Sequence, residues 1–398
     1  LQKQFHVLQS GKDEYYYDIL AMIILLIGFG LVMLYSTSSY TAGIQRHDDM
    51  YYFRRQGLIC LGMLAGIVIF TKIFPVDYHI LERLAFGINI AALVLMLLVR
   101  FTALGLELNG ARRWIDLGGI TFQPSELSKI AVLTYTPVLI KKMGRHYKGV
   151  KAAVTAMVPA LVQAAATYLL TRNLSTAIII FLIGLAIVFV AHPKTLGFLI
   201  FVGGVLAFAA MAVLQVAAAG NGSGGSFRFM RIKVWLNPEL YASSGGYQIL
   251  QGLYALGSGG FLGKGLGNST QKLGALPEAQ NDMIFSIICE ELGILGAVIV
   301  LILFGALLYR LFFVAENAPD LYGSLMVVGI FAHIASQVIL NIAVALNLIP
   351  TTGVTLPFIS YGGTSIVFLM IEMAIALSVA RRIRPHKRKR DLWGEVVG

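Results

Sequence analysis

Apolar residues run along this chain in blocks about twenty residues long, separated by short polar stretches and without the two-residue alternation of strands. A membrane-spanning helix needs about 20 mostly apolar residues. By that measure the pattern predicts ten spans, near 17–38, 56–74, 80–101, 124–140, 150–170, 174–191, 195–216, 282–309, 322–349 and 360–380. The expected fold is an all-α integral membrane protein, one polytopic domain with a 1–16 tail, a 17–380 core and a 381–398 tail. The first apolar run begins near Ile19 after a polar lead and is long enough to span, so it reads as an uncleaved first helix. Two segments interrupt the pattern, 102–123 and the long 217–281 stretch between the seventh and eighth spans. The second opens as a flexible linker, AAAGNGSGGS, then turns specific, with YQILQGLYAL reading as a short amphipathic helix between glycine turns. No strand pattern is expected in either.

Composition agrees with the class: 57% of residues are hydrophobic, 13% are charged and the mean hydropathy is +0.77. A soluble domain is about a quarter charged. Cys60 and Cys289 both sit in apolar runs, with neither metal-ligand spacing nor a disulfide framework.

The net charge of +11 divides by side. KKMGRHYKGVK at 141–151 and RRIRPHKRKR at 381–390 fall on the side of the N-terminus, which the positive-inside rule makes cytoplasmic. These basic segments attract anionic lipid headgroups and are too short, and too close to a helix, to bind nucleic acid. Arg112, Arg113, Arg228, Arg231, Lys264 and Lys272 fall on the outer side, where topology gives no reason for them. Guanidinium forks bind phosphate oxygens bidentately and lysine adds point charge, so together with Trp114 these residues suit an anionic lipid headgroup such as a diphosphate.

The acids in LPEAQNDMIFSIICEELG, residues 276–293, stand at the head of an apolar run where charge is costly. Asp282 lies at the outer junction and reads either as a helix N-cap or as a partly buried general base. Glu290 lies about 12 Å deeper and about 80° round the helix from Asp282, which suits a buried network. Glu291 faces the opposite way and is expected to pair with another helix. In PSELSK, Glu126 and Lys129 share a helix face and pair, with Ser125 beside them. Lys129 otherwise tunes Asp282 or meets a headgroup. GKGLGNS lacks phosphate-loop spacing, and His192 and His333 read as core residues.

Four long motifs, LNGARRWIDLGGITFQPSELSK, GYQILQGLYALGSGGFLGKGLG, LPEAQNDMIFSIICEELG and IPTTGVTLPFISYGGTS, resemble the SEDS family (FtsW, RodA and SpoVE), nearest its FtsW branch, over about residues 20–385. The resemblance implies ten helices and polymerisation of lipid II at the outer face of the bacterial cytoplasmic membrane, with both termini cytoplasmic. It implies a class B penicillin-binding protein as partner, within a division or elongation complex. The family's essential aspartate falls on Asp282, its paired loop arginines on Arg228 and Arg231, and its PSE…K motif on Ser125, Glu126 and Lys129. Lys264 or a divalent cation, Mg or Mn, would add to the charge stabilisation; the metal ligands are unspecified. NDMIF and TRNLSTA depart from the family pattern at Asn281, Met283, Arg172, Asn173 and Ser175, so no function is carried onto the acidic position that Asn173 replaces. Two rival readings stay open: a lipid II transporter, with Glu126, Lys129, Glu290 and Glu372 as intramembrane charges, and a scaffold that activates a transpeptidase. An elongation enzyme of the RodA type is the alternative within the family.

Overall fold

A computed structural model describes residues 2–108, 111–116, 121–193, 227–243 and 245–383, with scattered helical positions between 197 and 215. Most of the expected seventh span (195–216), the linker 217–226 and most of the basic tail lie outside the described residues.

Seven described helices are long and apolar enough to cross a membrane. They are α1 (Gln2–Arg46), α2 (Tyr51–Val68, continued by a π turn to Ile73), α3 (His79–Phe101), α5 (Val150–Thr171), α6 (Leu174–Ala191), α9 (Ile284–Asn317) and α10 (Leu321–Ala345). Two further described helices of the bundle are α4 (Pro124–Met143) and α11 (Ser365–Ala380), and α7 (Phe227–Leu236) and α8 (Tyr247–Gly259) belong to the long outer segment. Alternate faces of α1, α2 and α3 expose large apolar side chains such as Leu25, Leu58 and Phe86, as a lipid-facing surface does.

Helix α4 is the exception that explains the core. Pro124 starts it, since proline's missing N–H costs nothing in a helix's first turn. Ser125, Glu126, Ser128, Lys129, Thr134 and Thr136 are all buried on it, packed against α3, α5, α6 and α10. Protein, not lipid, surrounds α4, so its sequence need not be apolar. Glu126 and Lys129 close on each other at 2.8 Å. His333 of α10 and Glu372 of α11 form a second buried pair, at 2.7 Å.

Three differences from the sequence pattern matter for the site. First, three short segments form an antiparallel sheet, β1 (Gly105–Leu108), β2 (Ala111–Asp116) and β3 (Thr121–Phe122). Its strands are too short and polar for alternation to be visible, and tertiary contacts with α3 and α5 hold them. Second, the last span begins at Ser365 rather than 360, because residues 351–364 are a loop bonded by its backbone to α2, α10 and the 276–283 segment, with Ser360 Oγ adding a bond to the last.

Third, the long outer segment does not simply lie outside. Helix α8 runs beside the first turns of α9: a Cβ on Gly252 would meet the Met283 methyl at 2.4 Å, and one on Gly259 the Cys289 carbonyl at 1.9 Å. The chain then inserts its backbone into α9. Lys264 N–H donates to the Glu290 carbonyl and Gly265 N–H to the Glu291 carbonyl, both at 2.9 Å, while Ile294 N–H donates to the Gly260 carbonyl at 3.1 Å. Gly293 breaks the helix there, with φ 66° and ψ −158°, a conformation open only to glycine.

Candidate active site

Asp282 sits in the turn before α9, outside the spanning segment, and it is not a cap. The cap position is Met283, which makes no side-chain cap bond. The main chain around Asp282 is instead held from three sides. Asn341 of α10 donates to the Asp282 carbonyl and to the Val354 carbonyl, each at 2.8 Å. Ser360 Oγ donates to the Asn281 carbonyl at 2.6 Å, and Tyr361 N–H to the Gln280 carbonyl at 2.9 Å. Buried Gln56 of α2 fixes that loop in turn, donating to the Ser360 carbonyl and accepting from Gly362 N–H, both at 3.0 Å.

The carboxylate itself meets little. Gln248 Nε2 of α8 approaches Oδ1 at 3.4 Å, and Gly353, at φ 68°, leaves room beside Oδ2. Burial pushes the Asp282 carboxyl up to about 7, the Glu278 carboxylate pushes the same way, and Arg231 pulls against them. A carboxylate that titrates near neutrality accepts a proton readily yet is substantially ionised at physiological pH.

Arg231 projects from α7 and donates Nη1 to the Thr351 carbonyl at 3.2 Å. Strand alternation sends Arg112 and Arg113 to opposite faces of β2. Arg113 reaches the Thr171 and Arg172 carbonyls at 3.3 Å each, and burial together with the like charge of Arg231 lowers its proton affinity. Asp282, Arg231 and Arg113 therefore form one charged group around the 351–354 turn. Arg112 does not join it: Glu107 of β1 pairs with it at 3.6 Å, beside a half-buried Trp114. Arg228 belongs to α7, and its side chain lies outside the described residues.

The two lysines go elsewhere. Lys264 lies 2.6 Å from Glu290, whose oxygens also accept from Thr270 N–H at 3.1 Å, Thr270 Oγ1 at 2.9 Å and Ser269. Lys272, itself buried, lies 2.7 Å from Glu291, which Ser36 of α1 also bonds at 2.7 Å. These two ion pairs peg the return of the long segment into α9, two turns below Asp282. Glu126, Lys129 and Ser125 stand apart at the head of α4, where Gln123 donates to Ser125 at 2.8 Å. Sequence reasoning missed Gln248, Glu278, Asn341, Ser360 and Gln56. The signal for Asn341 was the polar series His333, Gln337, Asn341, at intervals of four on an otherwise apolar helix.

No group of three metal-binding side chains occurs among the described residues. Asp282 and Glu278 are two neighbouring carboxylates, which fit a magnesium-like ion carried in on substrate phosphates and not a dedicated protein cage.

The fold and site thus define a polytopic membrane protein with a carboxylate and two guanidiniums gathered at one end of the bundle. A family model described as "Cell cycle protein", covering FtsW, RodA and SpoVE, matches residues 17–385, and the chain belongs to that family. It is 36% identical over 372 residues to Stage V sporulation protein E of Bacillus subtilis, covering 92% of this chain and 98% of that protein. It is 34% identical over 373 residues to the probable peptidoglycan glycosyltransferase FtsW of Trichlorobacter lovleyi, covering 93% and 94%. Among solved structures it resembles a chain described under "Structural coordination of polymerization and crosslinking by a peptidoglycan synthase complex", at TM-score 0.71 and 27% identity over 93% and 98% of the two chains. The rod shape determining protein RodA of Thermus thermophilus matches at TM-score 0.60 and 25% identity, over 92% and 96%.

Proposed function

We propose that this protein is a peptidoglycan glycosyltransferase that polymerises lipid II into β-1,4-linked strands at the outer face of the bacterial cytoplasmic membrane. Relatives named peptidoglycan glycosyltransferase FtsW support the activity. The observation that carries the mechanism is one partly open carboxylate, Asp282, fixed through its main chain beside Arg231 and Arg113.

The sugar of lipid II is α-linked to diphosphate and the polymer bond is β, so C1 inverts. The acceptor 4-hydroxyl oxygen attacks C1, its proton passes to Asp282, and the C1–oxygen bond breaks with its electron pair leaving on the diphosphate. Arg113 and Arg231 stabilise that leaving charge, and Arg228 is assigned to the same role from the sequence alone. Lys264 and Lys272 act one step back, holding the segment that positions α8 and Gln248. A divalent cation carried in on the diphosphate, with Glu278 as the carboxylate that would meet it, would add further neutralisation and leave Asp282 free as the base.

Ten crossings follow when α4, α11 and the 195–216 segment join the seven long apolar helices, which leaves both termini cytoplasmic. The FtsW-named relatives favour septal synthesis in cell division, with a class B penicillin-binding protein as the crosslinking partner. Translocation of lipid II is the second reading, because α9 is broken inside the bundle. The break is filled by the chain's own 260–265 backbone and not by a cavity for a headgroup, which favours the enzyme. Labelled lipid II, given to the purified protein with its transpeptidase, tests both. Wild type is expected to yield glycan ladders and Asp282→Asn none; ladders from both would remove Asp282 as the base.

A further inference from the structure

The site has a second flank that the chemistry above does not use. Residues 351–364 run from Thr351, where Arg231 binds, past Tyr361, which lies between the two residues, Ser360 and Gly362, that Gln56 of α2 binds. Tyr361 is tied by its N–H to Gln280, two residues before Asp282, a separation of at most ~7 Å along the chain. Around its ring the outer end of α2 gathers more aromatic and guanidinium groups. Tyr52 meets Tyr361 edge-on at 4.8 Å, and Tyr51 meets Tyr52 edge-on at 5.2 Å. Arg55 donates to the Tyr51 hydroxyl at 3.2 Å and also bonds the Tyr361 side chain, and Arg46 lies over the Tyr51 ring at 5.2 Å. All three tyrosines are only partly buried.

Interfacial tyrosines commonly act as anchors, their amphipathic rings lying at the headgroup level. These differ in two ways. They are locked to one another and to arginine, and one of them belongs to the loop that holds the base. A pyranose ring presents C–H faces ringed by hydroxyls, which a tyrosine covers with its ring while its hydroxyl and a neighbouring guanidinium bond the rim. A diphosphate calls for the guanidinium group at Thr351; an uncharged sugar chain calls for this flank.

We infer that Tyr361, Tyr52, Tyr51 and Arg55 form a saccharide subsite that holds the N-acetylated sugar chain next to Asp282, on the flank away from the diphosphate. This rests on the glycosyltransferase reading. The subsite binds sugar independently of lipid and diphosphate, and it holds polymer between successive additions.

The probe is a lipid-free β-1,4-linked N-acetylglucosamine hexamer, titrated into the purified full-length protein and followed by saturation-transfer NMR. Wild type and Asp282→Asn are expected to bind it equally. Tyr52→Ala and Tyr361→Ala should each weaken binding about fivefold, the equivalent of one aromatic contact. Tyr52→Phe and Tyr361→Phe, which keep the ring, should retain most of it and so separate lost stacking from lost folding. Glycan ladders made by Tyr52→Phe should exceed in length those made by Tyr52→Ala. No binding by wild type, or equal binding by wild type and both alanine variants, overturns the subsite. A changed preference of the alanine variants for anionic over neutral nanodiscs, with hexamer binding intact, identifies a lipid anchor and also overturns it. Hexamer bound through the tyrosines by a protein that makes no glycan would instead sink the polymerase reading and leave the subsite standing.

Discussion

Asn341 carries the main chain of Asp282: its side-chain amide donates to the Asp282 carbonyl and to the Val354 carbonyl at 2.8 Å each, joining the base-bearing turn to the loop that faces it. Asn341 is thus a positioning residue, with no contact to the carboxylate itself. Asn341→Leu leaves two carbonyls without a donor, each costing about 1–3 kcal/mol. Displacement of a base by about 1 Å is expensive in rate. The expected result is a kcat of lipid II polymerisation lowered on the order of a hundredfold, with KM nearly unchanged. Asn341→Asp keeps the shape but presents no donor to either carbonyl, and is expected to be as impaired. A variant that lowers only folded yield, with normal kcat per folded molecule, would reduce Asn341 to a packing role.

The titration of Asp282 gives the reaction a pH signature. The base must be ionised, and burial with Glu278 raises its carboxyl to about 7. The kcat/KM of polymerisation should therefore fall about tenfold per pH unit below that point and level off above it. Glu278→Gln removes a repelling carboxylate and should move the limb to lower pH. Arg231→Gln removes an attracting cation and should move it to higher pH while also lowering the plateau, because Arg231 faces the leaving group. A limb unmoved by either substitution would place the titrating group elsewhere.

Buried ion pairs two turns below the site lend themselves to a stability test. Lys272 and Glu291 are both buried and 2.7 Å apart, with Ser36 of α1 as a third partner. Removing one partner strands a charge and costs about 3–5 kcal/mol, whereas replacing both with apolar groups is often nearly neutral. Lys272→Met and Glu291→Leu should each lower the Tm in detergent clearly, and the double variant should recover most of the loss. Additive losses would show that the pair is not the relevant unit.

Much of the helical frame was legible because lipid imposes a length and a polarity that a sequence cannot disguise. The Glu126–Lys129 pair and helix α8 followed from spacing alone. The partners of Glu290 and Glu291 were not legible, since Lys264 and Lys272 lie 26 and 19 residues away and meet them only through the return of the long segment. Viewed as sequence, those lysines were outward cations resembling Arg231. The sheet escaped for a related reason: its strands of 4, 6 and 2 residues are defined by pairing with one another, not by their own pattern. Asp282 read as a possible cap, but the cap position is Met283, one residue later, and Asn281, beside Asp282, bonds Glu278.

Gly293 offers a test of the inserted segment that touches no charged group. Its φ of 66° and ψ of −158° exclude other residues, and an added Cβ would lie 2.4 Å from both Gly263 N and the Phe261 carbonyl oxygen. Neither neighbour is a side chain that can swing away: Gly263 N–H donates to the Gly259 carbonyl of α8, and the Phe261 carbonyl accepts from Leu295 N–H of α9. Gly293→Ala must therefore expel residues 260–265 or straighten α9. Expulsion would strip Glu290 and Glu291 of Lys264 and Lys272 and carry α8 with Gln248 away from Asp282. The expected outcome is loss of polymerisation together with protease sensitivity new to the 259–275 segment, while Gly257→Ala, at a position with open space around it, changes neither. If Gly293→Ala polymerises normally and resists protease as wild type does, α9 closes without the insertion, and the inserted backbone is not what holds the base in place.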